Sequence, residues 1–373
     1  MLFTGARAPI VAYMARLLGQ VGYEVYAADS TYASVCVASC FVHKFIKLPK
    51  PTDSNYKDTL CKIVQKYRID YVIPTCEEIF YLAQFRQELS QHARVFCEEA
   101  PKLISLHDKW SFYNYLCKVG LRTPATQLAD QADEAWAQPH IIKPRFSRFA
   151  SKVRCETKLP KTMTDDHHIV QEFINGKQIC SYAFCKEGKV LAQCVYEPVL
   201  TAGKGAGILL KRISHPQAEE ITTRISQDFC FTGQIAFDFI EADNNELYVI
   251  ECNPRATNGL GFLDSDFVRL LCNEKTVKKD NPSVLISRLA VWCYGVLQPL
   301  KTLQAHRLCV GAVDFVSFKQ DPLAWLAQIP IVIWWLFKGL WYGGPTAAST
   351  VDIEFNGANF YENTCNRGNR FFG

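Results

Sequence analysis

The spacing of apolar positions changes period along the chain, and each change marks an element. Residues 1–3 form a short apolar run. Thr4-Gly5-Ala6-Arg7 follows, and then Ile10, Val11, Met14, Leu17 and Leu18 recur on one helical face up to Gly22. Residues 24–28 predict a second strand, ended by Asp29-Ser30. Residues 70–74 predict another buried strand, running into Thr75-Cys76-Glu77-Glu78. Strand, turn, helix, strand is the opening of a doubly wound α/β domain, here assigned to residues 1–104. Such sheets bind ligands beyond the carboxyl ends of their strands. Arg7, Asp29, Glu77 and Glu78 are therefore candidate substrate contacts, with helix caps and surface charge as the plain alternative. The first turn lacks G-x-G-x-x-G, which argues against a dinucleotide site.

A helical pattern over residues 105–120, closed by Gly120, begins a second region extending to about residue 300. A short apolar strand delivers Lys143, and a loop with Arg145, Ser147, Arg148 and Ser151 follows. Residues 168–174 read as a strand. Residues 179–185 and 189–196 read as two more, joined by the turn dipeptide Glu187-Gly188. Residues 201–207 hold Gly203, Gly205 and Gly207 and predict a flexible loop, without the G-K-[ST] of a Walker A motif. Residues 216–229 are helical by pattern.

The most informative stretch is 233–263. Residues 234–240 alternate apolar with small or polar side chains, Asp243-Asn244-Asn245 makes a turn, and residues 246–251 return. The predicted hairpin carries Asp238 on one strand and Glu251 at the end of the other. Asn253 projects to the same side as Glu251. Two carboxylates and an amide oxygen make a hard, all-oxygen donor set suited to Mg²⁺, and Arg255 adds a planar cation suited to phosphate. An ordinary amphipathic hairpin with a solvated acidic turn is the alternative. Against it, Glu251 ends the apolar run Leu247-Tyr248-Val249-Ile250, where an acid needs a partner.

FDF, eleven residues, then ECNPRATNG resembles the metal-binding signature of the ATP-grasp superfamily, which includes carboxylate–amine ligases and the carbamoyl phosphate synthetase large chain. The resemblance implies that Asp238, Glu251 and Asn253 hold Mg²⁺, with Mn²⁺ as a substitute ion, against the phosphates of ATP. Asp238 stands where the family often has Glu. It implies the fold too: a pre-ATP-grasp α/β domain, then a small lid near 136–176 and a larger antiparallel α+β domain. It implies roles for other residues. Lys109, in the D-K that opens the second region, reaches the nucleotide. Lys143 meets the α and β phosphates, and the loop with Ser147 and Ser151 covers the γ phosphate. That loop is Gly-rich in the family; here it has no Gly and carries Phe146 and Phe149, so Arg148 would meet the substrate or acyl phosphate. Gln171, Glu172, Phe173 and Ile174 match the adenine hinge. Gln178 stands where the family has an acid for the ribose. Lys211 or Arg212 steadies the γ phosphate, and Lys211, Arg148 and Arg255 form the expected catalytic set. The implied reaction activates a carboxylate as an acyl phosphate and passes it to an amine, releasing ADP and phosphate. A kinase on the same fold and a non-catalytic nucleotide-binding protein are the rivals.

Composition narrows the partners. A net charge of +4 without a Lys/Arg block interleaved with aromatics gives no reason to expect nucleic acid. Sixteen scattered Cys, with no C-x-x-C and no zinc spacing, predict reduced thiols and a cytoplasmic location. Arg7 and Arg16 interrupt any secretory h-region. In the extension, 301–373, residues 323–342 are apolar and hold four of the seven Trp. Three readings stand: buried or oligomer-forming helices, attachment to a membrane surface, and a spanning helix. Gln328, Pro330, Lys338 and Gly339 shorten the clean apolar core below the ~20 residues that spanning needs, so an association or docking surface is expected. Residues 283–294 are predicted helical and 351–355 strand-like.

Overall fold

The computed structural model describes residues 1–132, 139–147, 153–157, 166–203, 205–264, 266, 281–316 and 319–357. The first domain is a parallel sheet of five strands: Leu2–Thr4 (β1), Tyr26–Asp29 (β2), Lys44–Lys47 (β3), Tyr71–Pro74 (β4) and Arg94–Val95 (β5), in the order β3-β2-β1-β4-β5. Phe3 lies between Ala27 and Ile73 in register. The helix Pro9–Gln20 starts with Pro at its first position, where the missing N–H costs nothing, and buries Val11, Met14 and Leu18. The turn before it needs Gly5. Its φ is +64°, and a Cβ there would meet the Glu78 carboxylate at 2.6 Å.

A small antiparallel sheet follows, with Thr126–Leu128 (β6), His140–Pro144 (β7), Arg154–Glu156 (β8) and His168–Glu172 (β9) in the order β6-β9-β7-β8. The large sheet has seven strands: Gly176–Lys186 (β10), Lys189–Ala202 (β11), Ala206–Ile213 (β12), Gly233–Ala242 (β13), Leu247–Asn253 (β14), Val284–Ile286 (β15) and Val313–Asp314 (β16). Their order is β14-β13-β10-β11-β12-β15-β16. Glu187 and Gly188 both take positive φ, the requirement of the tight turn that joins β10 to β11. One face of this sheet, through Ile179, Ala183 and Phe237, packs against Ile221 and Ile225 of the helix Pro216–Asp228. The opposite face, through Tyr182, Tyr196 and Ala236, joins Tyr13 of the first helix and Phe262 in a second core. The expected α/β domain, lid-type sheet and larger antiparallel domain are all present.

Four local expectations change. Residues 105–120 are not one helix: Asp108 is extended (φ −67°, ψ 110°) and separates Ala100–His107 from Lys109–Lys118. The Asp108 carboxylate caps the new helix by accepting from Trp110 N, a bond it could not make from inside a helix. Residues 201–207 are not loop throughout: strand pairing continues into both ends, with Thr201 opposite Gly207 and Ala202 opposite Ala206. Residues 283–294 give strand β15 before the helix Arg288–Gly295, because Val284–Ile286 find an open edge on β12. Residues 351–355 are not a strand: Ile353 N and Glu354 N donate back to Thr350 O, which closes a turn.

Candidate active site

Asp238 and Glu251 lie directly opposite each other on β13 and β14, and the register shifts between Asp238 and Phe239. Phe239 pairs with Val249, so Ile250 is an extra residue, a β-bulge. Its consequence is chemical. Val249 and Glu251 would share a face in a regular strand. The bulge leaves Val249 in the core with Phe237 and Phe239 and turns Glu251 to the other face, beside Asp238. Asn253 lies on that face too, and its Nδ2 donates to Asp238 Oδ2 at 3.3 Å. Arg255 Nη2 donates to Asn253 Oδ1 at 3.0 Å.

Across the large sheet the pairings form one row: Glu251, Asp238, Cys180, Tyr196, Arg212. Residues paired directly point to the same face, so this row is the floor of the site. Gln178 is two residues from Cys180 and shares the face. Lys211 does not. It pairs with Glu197 on the opposite face, and its Nζ lies 3.5 Å from the Glu197 carboxylate. The structure therefore separates Lys211 from the carboxylates and brings Arg212 to their side, with its Nη1 on Phe262 O at 3.3 Å.

Two lysines cover the acids. Lys109, at the start of its helix, sets Nζ 3.6 Å from Glu251 Oε2 and also reaches Ser147 Oγ at 3.2 Å. Arg145 fixes this corner: it grips Asp108 with two bonds of 2.9 and 2.5 Å and turns its carbonyl to Lys109. Lys143 is buried on β7, on the same face of the small sheet as Gln171. Burial lowers its pKa to about 8, against the opposing pull of Glu251. For Glu251 burial opposes ionisation, but Lys109 and Lys143 outweigh it and hold the carboxylate well below its usual range. Asp238 shifts the other way, upward, through burial and then the charge of Glu251. His107 lies behind this corner, stacked on Phe80, and burial lowers its pKa to about 4.

The remaining expected residues divide. Gln171 is buried, and its amide donates to Thr126 Oγ1 at 2.9 Å. Glu172 accepts from Ala125 N, and Phe173 and Ile174 lie in the connection between β9 and β10. Arg148 and Ser151 lie outside the described residues.

Comparison with known proteins bears on this arrangement. A family profile for the ATP-grasp domain matches residues 106–259, and one for the PylC-like N-terminal domain matches residues 1–96. The chain contains an ATP-grasp domain. The multifunctional protein pyr-3 of Neurospora crassa is 27% identical over 190 residues, covering 44% of this chain and 10% of that protein. The mitochondrial arginine-specific carbamoyl phosphate synthase large chain of Schizosaccharomyces pombe is 28% identical over 202 residues, covering 46% of this chain and 17% of that protein. The chain thus spans less than a fifth of either curated relative. The crystal structure of N5-carboxyaminoimidazole synthetase from Staphylococcus aureus complexed with ADP is similar in fold, with a TM-score of 0.55. It is 18% identical over 71% of this chain and 72% of that one.

The pre-ATP-grasp crevice holds a feature that the motifs do not signal. Arg7 and Asp29, expected to face substrate, are occupied within the chain. Arg7 bonds Asp29, Ser30, Ser349 O and Asp352, so the C-terminal segment lies across the strand ends. Glu78 is fully buried and accepts from Thr4 Oγ1 and Thr75 N, which makes it a structural acid. Glu77 accepts from Phe355 N at 3.1 Å and lies 3.9 Å from Arg255 Nε, linking the crevice to the Asp238–Glu251 corner. Phe355 stacks on Phe80 and meets Phe146 edge-on. The aromatic at 146, unusual for the family's loop, is thus a packing partner of the C-terminal segment.

Proposed function

We propose that the chain is an ATP-dependent ligase that activates a carboxylate as an acyl phosphate and joins it to an amine. One observation carries the reading: Asp238 and Glu251, opposed on one sheet, sit beneath Lys109 and Lys143. The donor set fits a hard divalent cation, because two adjacent carboxylates and an amide oxygen attract Mg²⁺, and the charge of one acid already destabilises the charge of the other. Asp238, Glu251 and Asn253 would hold it, and the ion would supply charge neutralisation for ATP phosphates. Lys143 and Lys109 add fixed positive charge, Arg212 and Arg255 extend it along the floor, and Gln178 is suited to a ribose hydroxyl.

The chemistry then needs few groups. A carboxylate oxygen attacks the γ phosphorus, the bond to the β-phosphate oxygen breaks, and ADP leaves. The amine attacks the acyl carbon, phosphate departs, and the amine gives up a proton. Positioning and exclusion of water from the acyl phosphate do most of the work. Free thiols throughout the described residues suit a reducing, cytoplasmic setting. The test is a screen of carboxylic and amino acids for ATP-dependent phosphate release, followed by mass spectrometry. A product equal to acid plus amine less water supports the ligase. A phosphorylated acid as the sole product supports a kinase instead.

A further inference from the structure

Residues 288–342 carry two apolar surfaces that the other described residues leave uncovered. The first is the helix Pro322–Tyr342, 21 residues and about 31 Å long. One side packs inward through Ala324, Gln328 and Gly339. The outward half of the helix, through Trp325, Ile329, Ile333, Phe337, Leu340 and Trp341, is apolar at every position and carries no charge. A solvated helix shows the reverse pattern. The second surface is formed by the helices Arg288–Gly295, Pro299–Gln304 and His306–Gly311, where Trp292, Val296, Leu300 and Leu303 are each at least 72% exposed.

Charge identifies what covers them. Residues 281–313 and 322–351 contain no Asp or Glu; their charged side chains are Arg288, Lys301, Arg307 and Lys338. Lys338 lies over the rings of Trp334 and Trp335, at 5.3 and 5.9 Å, where its ammonium can reach out along the edge of the apolar face. A second copy would bring basic rims against basic rims. A surface that is apolar below and anionic above, a phospholipid leaflet, matches both components, and Trp favours that boundary.

The helix is long enough to cross a bilayer, but its ends argue that it does not. At one end Asp321 accepts from Ser39 Oγ and Cys40 N. Beyond the other, Asp352 binds Arg7 and Ser30. Both anchors belong to the N-terminal domain, and Ile331 packs on the core around Tyr13. A spanning helix has its ends on opposite sides of the membrane. This one returns to the same domain and can only lie in the interface plane.

We propose that Pro322–Tyr342 and the Trp292–Leu303 surface dock the enzyme on an anionic phospholipid membrane. The test is co-sedimentation of the full chain with vesicles of phosphatidylcholine, alone or mixed with phosphatidylglycerol. The expected result is binding to the mixed vesicles at least about tenfold stronger than to the neutral ones, weakened by salt. Ile333→Glu with Phe337→Glu, both at exposed positions, should release the protein while leaving its circular dichroism unchanged. Lys338→Gln with Arg307→Gln should reduce the preference for anionic lipid. Equal binding to both vesicle types, or none to either, overturns the proposal. A discrete dimer that Ile333→Glu dissociates, without vesicle binding, makes a second copy the occupant and overturns it. Resistance to alkaline carbonate extraction makes the helix a span and overturns it too.

Discussion

Arg7 and Asp352 stand 345 residues apart in the chain and meet in a two-pronged ion pair, Nη1 at 2.5 Å from Oδ1 and Nη2 at 2.9 Å from Oδ2. Ser30 Oγ donates to the same carboxylate. The pair pins the C-terminal segment across the crevice of the first domain.

That pin should make stability depend on acid. Burial opposes ionisation of Asp352, but the hydrogen bond and charge of Arg7 prevail and bring its pKa down to about 2. Its unfolded value is near 3.9. The folded pKa is the lower, so the contribution is fully present above pH ~4 and fades as pH falls toward ~2. Asp352→Asn should cost on the order of 2 kcal/mol at pH 7, and the gap from the parent should shrink by pH 2.5. Urea unfolding at the two pH values measures this. An equal gap at both would show that the charge of Asp352 is not what holds the segment.

Glu251→Gln should leave the fold intact, because the amide keeps the shape of the acid. It removes the charge that faces Lys109 and Lys143. Turnover should fall by about 10²–10³. Isothermal titration with Mg²⁺ and a non-hydrolysable ATP analogue should show weakened binding. Turnover at the parental rate would mean that the opposed carboxylates are structural.

Gln178 shares the site face through its neighbour Cys180, and it is an amide where the family has an acid. Gln178→Ala should raise the KM for ATP roughly tenfold, the loss of one hydrogen bond of ~1.4 kcal/mol, with kcat little changed. Steady-state kinetics at saturating acid and amine decides this. An unchanged KM would place the ribose on other groups.

Why some of this was legible in the sequence and some was not follows from particular residues. The hairpin of Asp238 and Glu251 shows in period-two alternation, and Glu251 stands out because it interrupts an apolar run. The bulge at Ile250 leaves no such mark: nothing in Leu247-Tyr248-Val249-Ile250 shows which residue goes unpaired, because pairing depends on β13. The break at Asp108 follows a capping preference that helical periodicity masks. Arg7 reads as a cation at a strand end, as it is. Its partner Asp352 comes from the far end of the chain, and no local pattern joins them. Strand parity is the most instructive case. Lys211 and Arg212 are adjacent cations of equal promise in one dimension, and only the register with β11 tells them apart.

That register yields the sharpest test. Arg212 pairs with Tyr196, Tyr196 with Cys180, and Cys180 with Asp238, so Arg212 stands on the carboxylate side of the sheet. Lys211 stands on the other side, with Glu197 3.5 Å from its ammonium and nearly half of its side chain exposed. A cation must face the phosphates to stabilise charge that develops there. Arg212→Ala should therefore lower kcat by about 10²-fold or more, while Lys211→Ala should stay within about twofold of the parent, an exposed ion pair being worth little. Arg212→Lys should recover part of the loss, since the charge returns without the planar fork. If Lys211→Ala is the damaging change and Arg212→Ala is silent, the row from Glu251 to Arg212 is not the floor of the active site.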